Sequence, residues 1–221
     1  MSENEENFMG SLMSIMSGFG LAGGAGAKAF IPLLLIGGFH YTPYFELGGQ
    51  FAWIASPQVM VVLGVLVVLE ILVDSVPELG EYSDIVSYLP KIVAGFIAFA
   101  AATGSIDENL GQLAVSGALG GGTAAGVHWV RNQIRRPFRE VAETMHGGAA
   151  RFASVGEAGV STMVASSAIV APPVAIFALG AFALAGFGVS KKLGGRSAVC
   201  CKCGGRMYPD ALACPSCGSE K

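Results

Sequence analysis

The chain has 221 residues, of which 52% are hydrophobic and only 13% charged, with a formal net charge of -3. A soluble fold of this length would have to hide that apolar surface, whereas a bilayer accepts it, so the composition points to an integral membrane protein. The small net charge gives no polyanion-binding surface, and neither nucleic acid nor an acidic substrate is expected.

In chain order, the first charges are Glu3, Glu5 and Glu6, and no Lys or Arg precedes Lys28. That is the wrong polarity for a secretory signal, so the N-terminus is expected to stay. Phe8, Met9, Leu12, Met13 and Met16 recur at helical spacing. Residues 1–17 therefore read either as an amphipathic segment lying in the interface or as an extension of the first span.

A hydrocarbon core about 30 Å thick needs ~20 apolar residues per helix. That ruler places a first span at about 18–39, containing Lys28 and Pro32, and a second at about 57–73, bearing Glu70 and ending beside Asp74. A third follows at about 90–106 and a fourth at about 110–130, joined by a tight hairpin at Asp107, Glu108 and Asn109. The uncharged stretch 158–190 is too long for one straight span. Pro172 and Pro173 in its middle favour a break into helices 152–171 and 174–190, with a single kinked span as the alternative.

Arg131, Arg135, Arg136, Arg139 and Arg151 read as one loop, and Lys191, Lys192 and Arg196 open the tail, whereas 40–56 and 106–109 hold no Lys or Arg. The positive-inside rule puts that loop and the tail in the cytoplasm, so an even number of crossings separates them. Six spans with both termini cytoplasmic, in a prokaryotic cytoplasmic membrane, is the resulting expectation. Tyr41, Tyr44 and Trp53 would form an outer aromatic belt, and Trp129 an inner one with His128 beside it.

The run Gly20-Leu21-Ala22-Gly23-Gly24 has a near copy in Gly117-Ala118-Leu119-Gly120-Gly121. Three GxxxG pairs result, Gly20 with Gly24, Gly117 with Gly121, and Gly122 with Gly126, and such faces let helices approach closely. The two copies suggest a three-plus-three inverted repeat, with chance similarity in a Gly- and Ala-rich chain as the rival. Five glycines between Gly18 and Gly26 also weaken the first span, and a broken or unwound helix is expected there.

Charges at bilayer depth normally face a bundle interior, a partner or water. Lys28, Glu70 and Asp74 are the candidate intramembrane site, with Glu157 as the corresponding acid of the second half; snorkelling to the interface is the competing account. Topology alone accounts for the Arg cluster. Ser154 and Ser161 need only return hydrogen bonds to their own helices.

Beyond the basic linker 191–199, Cys200 with Cys203 and Cys214 with Cys217 form two CxxC-Gly knuckles in the tail 200–221. Four thiolates at this spacing point to a structural zinc ribbon, with Cys201 left over. All four ligands being protein, the module is expected to contact a cytoplasmic protein partner and not to catalyse.

The pattern Glu70-x-x-x-Asp74-x-x-Pro77, followed by Asp84 and Pro90, recurs with a Gly-rich first span ending in Pro32-Leu33-Leu34-Leu35 and a Ser56-Pro57 entry to the second. Over residues 18–189 this resembles an uncharacterised family of bacterial integral membrane proteins known only as a domain of unknown function. The resemblance implies membrane location and lends no activity. The tail looks like the short zinc ribbons appended to many prokaryotic proteins.

The fold expected is thus an all-α membrane domain with a four-cysteine zinc-ribbon tail. Its leading function is a small inverted-repeat transporter or permeation pathway for a small solute or ion. A membrane-anchored adaptor, homo-oligomeric through GxxxG contacts, is the rival. A lipid-directed enzyme comes third, since no phosphate loop, HExxH pair or nucleophile elbow is present.

Overall fold

The computed structural model describes residues 3–75, 85–104, 110–144, 148–194, 198–204, 206–207, 217 and 219. Its helices are α1 (Glu3–Ala27), α2 (Phe30–Phe39), α3 (Pro57–Asp74), α4 (Tyr88–Thr103), α5 (Leu110–Ser116), α6 (Gly122–Thr144), α7 (Gly148–Val170) and α8 (Pro172–Gly194). A 3-10 segment, Gly49–Ala55, precedes α3, and a π turn, Gly117–Gly121, welds α5 to α6. Two short strands in the tail, β1 (Ala198–Val199) and β2 (Arg206–Met207), pair antiparallel.

Local chemistry sets several of these ends. Pro57 opens α3, where its missing N–H costs nothing. Gly104, at φ 64°, closes α4 in the left-handed conformation that glycine tolerates. The expected break at the paired prolines occurs between Val170 and Pro172.

The first span differs from the expectation. α1 is one continuous helix from Glu3, so its N-terminal turns extend the helix, and the glycine-rich stretch is not unwound. The interruption comes later, at Lys28 and Ala29. Pro32 is the physical reason, because a helix running through it would lose the bond to the Lys28 carbonyl and press the ring against it. The chain turns sharply there, and Pro32 lies against α1, 3.1 Å from where a Cβ on Gly24 would stand.

Pairwise contacts fix the helix directions. α2 runs antiparallel to α3, since Ala29 bonds Glu70 while Gly37 lies against Ile54 and Met60. At one end of the bundle Lys28 reaches Asp74 and Ser154. At the other, Glu6, Asn7 and Ser14 flank Thr103, Gly104 and Gly111 around an open groove of about 910 Å³. α8 starts near Gly20 through Ala175 and passes Val130 at Gly186, so it runs toward the Lys28 end. The N-terminus of α1 and the C-terminus of α8 thus lie at opposite ends of the bundle. α2 and the coil after it supply a return leg that the apolar run 18–39 disguised as part of one span.

Small residues make the crossings. A Cβ on Gly20 would sit 2.5 Å from that of Ala168, and one on Gly95 would sit 2.7 Å from the Gly120 carbonyl. Among the other glycines expected at contacts, Gly24 and Gly121 face neighbours, Gly117 stands at an ordinary distance from Phe96, and Gly122 and Gly126 face open space. Gly122 and Gly126 stand one residue on from the face that packs, since Gly120, Gly121 and Ala124 are the positions that meet α4.

The core gathers Leu21, Ala25, Leu33, Ile36, Ile54 and Ala98 from four elements. Outward surfaces are apolar as well: on α3 only Leu63 is buried, while Val61, Val65, Val68 and Leu72 are exposed. Water-soluble helices show the reverse pattern. Glu5–Ala27, Pro57–Asp74 and Phe152–Val170 are long and apolar enough to cross a membrane, with Phe30–Phe39, Tyr88–Thr103 and Pro172–Gly188 as shorter apolar helices.

Candidate functional site

The break between α1 and α2 does two things at once: it sets Lys28 just beyond the end of α1 and frees the Ala29 N–H from a regular ladder. That N–H donates to Glu70 Oε1 at 3.0 Å, so a carboxylate of α3 caps the broken segment. Glu70 Oε2 is buried and has no hydrogen-bond partner among the described residues. Glu70 and Asp74 also line a cavity of about 160 Å³ with Ala29, Phe30, Leu66 and Pro90.

Lys28, 0% exposed, donates to Asp74 Oδ2 at 2.6 Å and to Ser154 Oγ at 3.1 Å, and the Ser154 hydroxyl in turn donates to the Ile71 carbonyl at 3.2 Å. Arg131 of α6 shares Asp74 Oδ2 at 2.6 Å and forks onto Glu157 Oε2 at 2.7 and 2.9 Å. Arg135, one turn on, pairs with Glu157 Oε1 at 2.7 Å. A chain of charges, Lys28–Asp74–Arg131–Glu157–Arg135, thus ties α1, α3, α6 and α7 together at one end of the bundle.

Beside it, Lys91 of α4 and His128 of α6 meet at 2.9 Å between Nζ and Nδ1, at 1% and 0% exposure. The Tyr88 ring stands edge-on to His128 at 4.4 Å. Lys91 is within electrostatic reach of Glu70, Asp74, Lys28 and Arg131. The Gly95–Gly120 crossing brings α4 and α6 near enough for this pair to form.

Of the sequence candidates, Lys28, Asp74 and Glu157 come together through Arg131, and Glu70 lies one turn back on the Asp74 face. Lys28 pairs with Asp74 and not with Glu70. Arg131 and Arg135 are on a helix that continues to Thr144, not in a loop, and His128 is an interior residue, not a belt residue. The spacing of His128, Arg131, Asn132 and Arg135, one face of α6, was the available signal for them. Lys91 had no comparable signal, since its partner is 37 residues away. Tyr41, Tyr44 and Trp53 are exposed at the end away from the cluster, and Trp129 packs edge-on against Phe187.

In the tail, the sulfurs of Cys200, Cys203 and Cys217 lie within 4.8 Å of one another. Gly204, at φ 68°, turns back so that its N–H reaches the Cys200 carbonyl at 2.9 Å, closing the first knuckle. Three converging thiols fit a metal ion. Cys201 is exposed, and Cys214 lies outside the described residues, as do Pro77 and Asp84.

A family model described as a domain of unknown function, DUF4126, matches residues 15–192. The chain belongs to this family. The DUF4126 match takes in every residue of the charge cluster and ends before the tail cysteines. No curated protein and no solved structure matches the chain.

Proposed function

We propose that this DUF4126 protein is a small multi-pass transporter or permeation pathway, with the buried charge cluster as its substrate- or ion-handling site. The observation that carries the reading is the convergence of Lys28, Lys91, Arg131 and Arg135 with Glu70, Asp74 and Glu157 inside a bundle whose outer surface is apolar. Taking such groups out of water costs several kcal/mol per ion, and hydrophobic residues would serve stability as well. Charge retained at depth is the ordinary mark of an ion or substrate pathway. In this reading the Asp74–Arg131–Glu157 links close one end of the path and part when it opens.

Six long helical passes, the α5–α6 composite counting as one, and the α2 return leg cross the bilayer. The Arg-bearing end faces the cytoplasm and the acidic N-terminus, with no Lys or Arg before Lys28, faces outward. Support for an inverted repeat is that both glycine-rich copies sit at helix irregularities, one just before the Lys28 break and one at the π turn. The tail is a zinc ribbon of Cys200, Cys203, Cys214 and Cys217 held at the cytoplasmic face, where it meets a protein partner. The adaptor reading keeps that module and discards transport. Uptake into proteoliposomes across a panel of ions and small solutes separates the two: accumulation above empty vesicles supports transport, and none over a broad panel supports the adaptor.

A further inference from the structure

Two basic groups in hydrogen-bond contact, both shut away from solvent, must divide one proton between them. The Lys91 ammonium donates to His128 Nδ1, which requires the imidazole to be neutral with its proton on Nε2. Asn132 suits that tautomer. Its amide nitrogen faces Nε2 at 3.4 Å while Oδ1 has no partner among the described residues, and turning the amide over lets Oδ1 accept from Nε2–H.

Burial of both groups away from water makes this proton the labile one, because an ammonium charge is costly to keep there. Among the described residues, Lys28 just beyond α1, Glu70 and Asp74 of α3, and Arg131 of α6 lie within electrostatic reach of Lys91, Tyr88 abuts the imidazole, and Glu157 and Arg135 complete the network. The cations Lys28 and Arg131 oppose a further charge on Lys91, while Glu70 and Asp74 favour it. We propose that Lys91 and His128 form a binding site for one exchangeable proton, the ion bound and released as the cluster opens and closes. Release converts the Lys91 ammonium to an amine and delivers the proton to water, with His128 neutral throughout. The coupling role rests on the transport reading; the proton site does not.

Arginine separates a labile proton from a fixed charge, because it keeps its proton at any working pH. The chain has three histidines, so the full-length protein labelled with 15N-histidine in lipid nanodiscs gives few imidazole signals, and His128→Gln assigns the one that matters. Between about pH 5 and about pH 10, bracketing the ordinary His and Lys ranges, wild-type His128 is expected to stay neutral and to show one step as the shared proton leaves. Lys91→Arg should abolish that step, and Lys91→Gln should let His128 take up its own proton at the acid end. In vesicles loaded with a pH dye, a potential-driven proton flux present in wild type should be lost in Lys91→Arg. A His128 signal without a step in wild type, or with the same step in Lys91→Arg, would overturn the proton site. Absence of any carried solute would remove the transport reading alone and leave the step intact.

Discussion

Asp74 holds the cluster together, accepting from both Lys28 and Arg131 on the same oxygen. Removing its charge takes the carboxylate from Lys28 and one of two carboxylates from Arg131, and breaking a buried pair costs about 3–5 kcal/mol. Asp74→Asn is therefore expected to lower the thermal midpoint of the purified protein in detergent clearly more than Glu70→Gln does. Glu70 has one oxygen without a hydrogen-bond partner among the described residues, and a glutamine still accepts the Ala29 N–H. Equal midpoints for the two variants would mean that Asp74 is not the junction. These residues also mark what a single sequence can and cannot announce. Lys28, Glu70, Asp74 and Glu157 are legible because each is a charge in or beside an apolar run. Arg131 and Arg135 are legible only through the helix face they share with His128 and Asn132, because basic residues flanking a span satisfy the positive-inside rule without any reference to interior pairing. The Lys91–His128 contact depends on how two helices cross, and no local pattern encodes that.

Among the elements, the decisive feature is how α4 meets the π turn. Gly95 and Gly120 put backbone against backbone, and a side chain at either must displace the other helix. Gly120→Val should prevent recovery of folded protein or lower its thermal midpoint strongly, whereas Gly126→Ala, facing open space, should be neutral within about 0.5 kcal/mol, as surface substitutions usually are. Size-exclusion profiles and thermal scans read both. A similar loss in the two variants would reject Gly120 as the packed position and Gly126 as the open one. Helix lengths and the Pro172 break were readable from apolar runs and proline chemistry. The turn at Lys28 and Ala29 is not marked by the glycines before it, because the breaker, Pro32, acts four residues upstream of itself. In the tail, the CxxC spacing made the convergence of Cys200, Cys203 and Cys217 legible. Replacing Cys203 and Cys217 together by Ser in the full-length protein should lose bound zinc on metal analysis, and retention would refute the ligand set.

On the scale of the whole molecule, the number of passes decides where the chain ends lie. With α2 as a return leg, the N-terminus stands opposite the Arg-bearing end, so single-cysteine labelling on a background lacking native Cys should find positions 4, 48 and 108 reachable from outside and position 140 protected until lysis. Protection at position 4 together with labelling at 48 would restore an even count of passes. The central claim is that the charges gathered inside this bundle handle a transported species, and it is tested most directly by solute and ion uptake into proteoliposomes carrying wild type, Glu70→Gln or Lys28→Gln at equal reconstitution. Wild type is expected to accumulate at least one member of the panel, and both variants to change its flux. Wild-type vesicles indistinguishable from empty ones, or a carried solute moved equally by all three proteins, would contradict it.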